Sequence, residues 1–174
     1  MADIIMDGIY ESISELSSEI VSICGERGLK VTTAESCTGG MISAAITSVS
    51  GSSQVIELGI CSYSNRVKSG VLGVSEETLA RFSEYSIECA REMAMGVLEL
   101  SGADLAVSTS GVAGPTGGSG ENPVGTVYIS VCEKNADAIT KKYIFEDNGR
   151  EYIRAAAAEK ALAMLLDKIK NHIH

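Results

Sequence analysis

Apolar positions along the chain follow two alternating rhythms. Ile13, Leu16, Ile20, Ile23 and Cys24 recur at helical spacing and stop at Gly28, which predicts an amphipathic helix closed by a glycine C-cap. Lys30 to Thr33 reads as the end of an apolar, β-branched strand, and Met41 to Val49 as a second helix. A Gly51-Ser52-Ser53 turn precedes an apolar stretch around Gly59 to Ser64, a short helix over Asn65 to Leu72, and a helix capped by Ser75 with Glu76 and Glu77 in its first turn. Ser86 to Leu100 gathers Ala90, Met93, Ala94 and Val97 on one helical face and feeds a strand over Leu105 to Thr109. Thr126 to Cys132 and Ile139 to Phe145 are two strands whose connection, Glu133-Lys134-Asn135-Ala136-Asp137, is short enough to force an antiparallel pair. A last helix starts near Arg150 and buries Ile153, Ala157, Ala161, Leu165 and Ile169. The alternation predicts an α/β fold: a three-layer α/β/α sandwich on a mostly parallel, five-stranded mixed sheet. With no linker, low-complexity tract or solenoid-length repeat, residues 1–174 read as one domain.

Composition narrows what such a domain does. Its 174 residues are 45% hydrophobic, enough for a core of two layers or more. The 23 acidic residues outnumber 14 basic ones, a charge of −9, so the phosphate-neutralising surface that nucleic acid requires is not evident. Five cysteines (Cys24, Cys37, Cys61, Cys89, Cys132) contain no C-x-x-C pair, which fits buried thiols in a reducing compartment better than disulfides or a zinc site. The first 20 residues carry acids where a signal peptide would be basic, and no apolar run reaches membrane-spanning length. A soluble cytoplasmic protein without membrane contact is expected.

Three segments carry candidate chemistry. In Ala34-Glu35-Ser36-Cys37-Thr38-Gly39-Gly40, hydroxyls, a carboxylate and paired glycines occupy a strand-to-helix junction, where α/β proteins place ligands and a helix N-terminus attracts anions. A capped tight turn uses the same residue types, so this segment alone leaves both readings open. The only histidines, His172 and His174, lie in the polar C-terminal tail and read as solvated ends. Any nucleophile must then be activated by lysine, tyrosine or a carboxylate. Lys68 is the single lysine between Lys30 and Lys134 and stands five residues after Tyr63. It can act as a base if burial, or a neighbouring cation such as Arg66, lowers its pKa from about 10.4. The third segment, Ser108 to Gly120, holds a dense part of the chain's 18 glycines and follows a predicted strand, so its N–H groups could cradle phosphate. It lacks the P-loop spacing and lysine. Arg150, opening the last helix, could clamp a phosphate bidentately.

Together these segments resemble the C-terminal domain of the CinA family, the nicotinamide-nucleotide (NMN) amidohydrolases. The similar stretches are VTTAESCTGG at 31–40, GSS at 51–53, YSNRVK at 63–68, LGVSEETLAR at 72–81, SGADLAVSTSGVAGPTGG at 101–118 and PVGTVY at 123–128, in the family's order. Many members carry an additional N-terminal domain, and this chain looks like the stand-alone form. The resemblance implies hydrolysis of the NMN carboxamide to nicotinate mononucleotide and ammonia, with a small-molecule nucleotide as partner and neither metal nor organic cofactor. It implies Ser53 as nucleophile, Lys68 as its base and Tyr63 as an orienting or relaying group. Backbone N–H groups of Ser36 to Gly40 would serve as oxyanion donors. Glu35, Thr38, Gly39, Gly40 and Asn65 are expected to bind substrate, with Ser110, Gly111, Gly117, Gly118 and Arg150 at its phosphate.

Geometry qualifies the nucleophile. If Val55 to Ser62 were one straight strand, Ser53 and Tyr63 would stand roughly 30 Å apart. Ser53 therefore requires residues 53–57 to coil, with the strand starting near Gly59, or a neighbouring subunit to complete the site; a homo-oligomer is expected. Ser36 follows one parallel strand as Tyr63 follows the next and is the rival nucleophile. Three places depart from the family pattern: Thr116, Asn122, and the approach to Arg150, where Phe145-Glu146-Asp147-Asn148-Gly149 is one residue longer and lacks Asp before Arg. A non-catalytic module for a nucleotide or partner protein, and an amidohydrolase for another small amide, are the alternative functions.

Overall fold

The computed structural model describes residues 2–172. Its elements follow the predicted order: α1 (Ala2–Arg27), β1 (Val31–Glu35), α2 (Met41–Thr47), β2 (Ile56–Cys61), α3 (Asn65–Leu72), α4 (Glu76–Phe82), α5 (Ile87–Ser101), β3 (Leu105–Gly111), β4 (Thr126–Glu133), β5 (Ile139–Ile144) and α6 (Arg150–Lys170). The sheet order is β2-β1-β3-β4-β5. β1 pairs in parallel with β2 and β3, β4 runs antiparallel to β3, and β5 antiparallel to β4. Four strands thus share one direction and β4 alone opposes them, the mostly parallel sheet that the alternation predicts.

Strand alternation divides two cores. On one face Val31, Leu105, Val107, Val127, Ile129 and Val131 meet Ile20 and Cys24 of α1, Ile42 and Ile46 of α2, and Ile153, Leu162, Leu165 and Ile169 of α6. On the other, Ala34, Ala106 and Cys132 meet Leu72 and the Cys89, Met93, Ala94 and Val97 face of α5. β1 and β3 are buried along their full length, as strands covered on both faces must be. The predicted caps form: Gly28 takes φ +67°, and the Ser75 and Ser86 hydroxyls accept from the N–H groups of Thr78 and Cys89 at 3.0 and 3.1 Å. Among the described residues no helix is long and apolar enough to cross a membrane.

Boundaries differ from expectation where the site is built. β1 extends through Glu35, and β3 through Gly111, so part of each presumed loop is strand. Ser52–Gln54 forms one 3-10 turn, but β2 starts at Ile56, three residues before Gly59. From β1 the chain passes to β2 on one side and later to β3 on the other, making the carboxyl ends of β1 and β3 a topological switch point.

Candidate active site

A serine hydroxyl and a lysine amine meet at this switch point. Ser64 caps α3, its hydroxyl accepting from Val67 N–H at 3.3 Å, and Lys68 follows one turn later on the inward face. The Lys68 side chain is 1% exposed, and its Nζ lies 3.1 Å from Ser36 Oγ and 2.8 Å from the Ser62 carbonyl, to which it donates. Burial lowers its pKa from 10.5, against the opposing pull of neighbours that include Cys89 and Glu84. Arg66, the cation considered from the sequence, is exposed and has no part in that shift. A buried lysine amine with a lowered pKa facing a serine hydroxyl has the geometry that a general base needs. The neighbouring Cys37 thiol is buried and pushed up to about 12, so it stays protonated at neutral pH and is a poor nucleophile.

Ser36 sits in a backbone loop held from two sides. The fully buried Glu35 carboxylate accepts from the N–H groups of Gly40, Ile42 and Ser43 at 2.9, 3.1 and 2.9 Å, and from the Thr38 and Ser43 hydroxyls at 2.7 and 2.8 Å. The N-terminus of α2, read from the sequence as an anion site, is therefore filled by the chain's own carboxylate. Gly40 makes this possible, since its φ of +96° turns the chain into α2 where a side chain would strain. From the opposite side Arg154 donates to the Cys37 and Thr38 carbonyls at 3.1 and 2.9 Å. Of the proposed oxyanion donors, Ser36 N–H is engaged by the Thr109 carbonyl, Gly39 N–H by the Ser36 carbonyl, and Gly40 N–H by Glu35. The remaining two, the Cys37 and Thr38 N–H groups, face the Cys37 sulfur, whose charged form they favour.

A cleft of about 510 Å3, counted to its open mouth, lies over Ser36 and Lys68. Tyr63, Asn65, Gly111 and Arg150 line it too, so six of the residues singled out from the sequence converge there. Arg150 donates to the Gly114 carbonyl and to Tyr63 Oη, both at 2.7 Å, joining α6 to the segments after β3 and β2. The Tyr63 hydroxyl is thus engaged with Arg150 rather than Lys68. Glu35, Thr38, Gly39, Gly40, Ser110, Gly117 and Gly118 lie outside the lining. Thr38 bonds Glu35 and Thr109, while the Ser110 hydroxyl donates to the Glu84 carbonyl at 2.7 Å. Ser53 is exposed in the 3-10 turn before β2, whereas Tyr63 and Lys68 come after it. The six residues of β2 span about 20 Å, which places Ser53 and Lys68 at opposite ends of the sheet within one chain.

The structure adds residues that the sequence did not mark. Glu84 and Tyr85, between α4 and α5, line the cleft. Arg154 carried one available signal, its four-residue spacing from Arg150 on the same helix face. His172, expected in a solvated tail, instead places Nδ1 2.6 Å from Glu133 Oε2 with its side chain 17% exposed; His174 lies outside the described residues.

Residues 13–169 match the family described as the CinA C-terminal domain. The chain is 47% identical over 160 residues to the nicotinamide-nucleotide amidohydrolase PncC of Enterobacter agglomerans, covering 91% of this chain and 97% of that protein. A putative competence-damage inducible protein of Caldicellulosiruptor saccharolyticus is 46% identical over 158 residues, which are 90% of this chain but 38% of the longer relative. The crystal structure of the competence/damage inducible protein CihA from Agrobacterium tumefaciens superposes with a TM-score of 0.89 at 41% identity, covering 92% of this chain and 96% of that one.

Proposed function

The chain belongs to the CinA C-terminal domain family, and from that premise we propose that it hydrolyses the carboxamide of NMN to nicotinate mononucleotide and ammonia, with Ser36 as nucleophile and Lys68 as base. The observation that carries the chemistry is the buried Lys68 amine 3.1 Å from Ser36 Oγ on the floor of a cleft that also holds Arg150. The substrate itself comes from the relative named as an amidohydrolase, whose whole length this chain nearly covers.

Neutral Lys68 takes the Ser36 proton as Oγ attacks the carboxamide carbon. The Cys37 and Thr38 N–H groups, on a segment whose carbonyls Arg154 holds, would turn from the Cys37 sulfur to serve as oxyanion donors. Collapse of the tetrahedral intermediate expels ammonia as Lys68 returns the proton to nitrogen, leaving a nicotinoyl ester on Ser36. Water, deprotonated by Lys68, then attacks the ester, and Ser36 leaves with its proton restored. Arg150, at the cleft's rim and half engaged by a backbone carbonyl, is the residue for the nucleotide phosphate.

Incubation with NMN is expected to release ammonia and nicotinate mononucleotide in equal amounts, and no release at any protein concentration overturns the proposal. Ser36→Ala should lower kcat by about 10³-fold or more, while Ser53→Ala stays within about twofold. The reverse pattern would transfer the nucleophile to Ser53, which meets Lys68 only across a contact between two copies; sedimentation of the wild-type protein would then have to report an oligomer.

A further inference from the structure

We propose that Glu84 makes the cleft select a cationic ring, so that the pyridinium form of the ligand is preferred over its neutral, reduced form. The inference rests on the NMN reading above and names the part of that ligand which one wall recognises. Glu84 lines the same cleft as Ser36 and Lys68, and it is half-buried. Among the described residues its carboxylate takes part in no hydrogen bond and no ion pair, unlike Glu35, Glu92 and Glu133, whose carboxylates are all engaged. A carboxylate on the cleft wall that no group of the chain hydrogen-bonds is open to pairing with a ligand cation.

The segment that carries Glu84 is built rather than loose. Ser83 holds φ +68°, unusual for a residue with a side chain. Ser110 donates to the Glu84 carbonyl at 2.7 Å, and Asn122 Nδ2 donates to the Tyr85 carbonyl at 3.0 Å. Asn122 is in turn held by the Tyr128 hydroxyl at 2.8 Å. The cleft therefore carries a carboxylate, on a backbone segment held at its carbonyls, on the wall between α4 and α5, and a guanidinium at the N-terminus of α6. A ligand that satisfies both has a cation and an anion, as a pyridinium ring joined to a phosphate does. Tyr63 and Tyr85 line the same space and add aromatic surface suited to a cationic ring. Hydrolysis converts the ring's carboxamide into a carboxylate, which Glu84 repels, so the same group favours release of product.

The test measures binding by calorimetry in full-length Ser36→Ala protein, with NMN and its 1,4-dihydro form as the two probes. Glu84→Gln is expected to weaken NMN binding about fivefold while changing the dihydro form by less than about twofold. Glu84→Asp, which keeps the charge, should retain the preference. Equal losses for both probes, as a carboxylate serving the ribose hydroxyls would give, or a preference lost in Asp as fully as in Gln, overturn this inference while leaving the amidohydrolase reading intact. Failure of Ser36→Ala protein to bind NMN at all overturns both.

Discussion

In the proposed mechanism Lys68 sets the pH behaviour of the site, because its buried amine can act as a base only once it has lost its proton. Burial brings its native pKa below 10.5, so kcat/KM should climb as pH rises through that lowered value and then level off. The same shift acts on stability. Below the native value the lysine is charged in both states, and the cost of burying that charge is felt in full. Between the native value and 10.5 the unfolded chain holds the proton that the folded chain has released, so stability rises with pH across that window. Lys68→Met is expected to lower kcat by about 10²- to 10⁴-fold and to remove this rise, measured by urea denaturation across a pH series. At this scale the sequence marked Ser36, Lys68, Tyr63, Asn65, Gly111 and Arg150, all of which line the cleft. It did not show that the Glu35 carboxylate fills the α2 N-terminus, because a carboxylate beside a helix N-terminus looks the same in sequence whether it receives a ligand or replaces one. Glu84 and Arg154 escaped notice since nothing in their local sequence says what they face.

Helix propensity and tertiary contact oppose each other at Gly96, in the middle of α5. On propensity alone, alanine there should stabilise the helix by about 1 kcal/mol. A Cβ at this position would instead collide with the carbonyl oxygen of Leu72 at the end of α3, the helix that carries Lys68. Gly96→Ala is therefore expected to destabilise the fold by about 1–3 kcal/mol and to depress activity with it, read by chemical denaturation and by kcat. Elements with a long amphipathic face, such as α1, α5 and α6, were legible from spacing because one stripe is enough to identify them. The start of β2 was not. Its exposed and half-buried residues alternate as an edge strand's do, and Ile56-Glu57-Leu58 is short enough to read as coil as easily as strand.

Across the whole molecule, the C-terminal end of the chain is tied back to the end of β4. Glu133 receives Lys168 Nζ at 2.7 Å and faces His172 Nδ1 at 2.6 Å. Hydrogen bonds from His172 and Lys168 hold the Glu133 carboxyl below its usual 4.5, so this contact stabilises the fold above pH 4.5 and loses that contribution as pH falls through the lowered native value. Glu133→Gln should be less stable at pH 7, and its melting temperature should fall less steeply than wild type below pH 4.5, by thermal denaturation monitored by circular dichroism. The candidate cleft has the same long-range origin, drawing on the segments after β1, β2 and β3, the α4–α5 connection and the start of α6. By itself the sequence determined the order of elements, the sandwich and its mostly parallel sheet, since hydrophobic periodicity is a property of neighbouring positions. It also pointed away from histidine chemistry and toward lysine, tyrosine or a carboxylate as activator, because residue types are countable without coordinates. Only the tertiary structure decided which serine the lysine meets. Ser36 and Ser53 carry equivalent hydroxyls, and what separates them is the length and direction of β2, which puts one at the lysine's end of the sheet and the other at the far end.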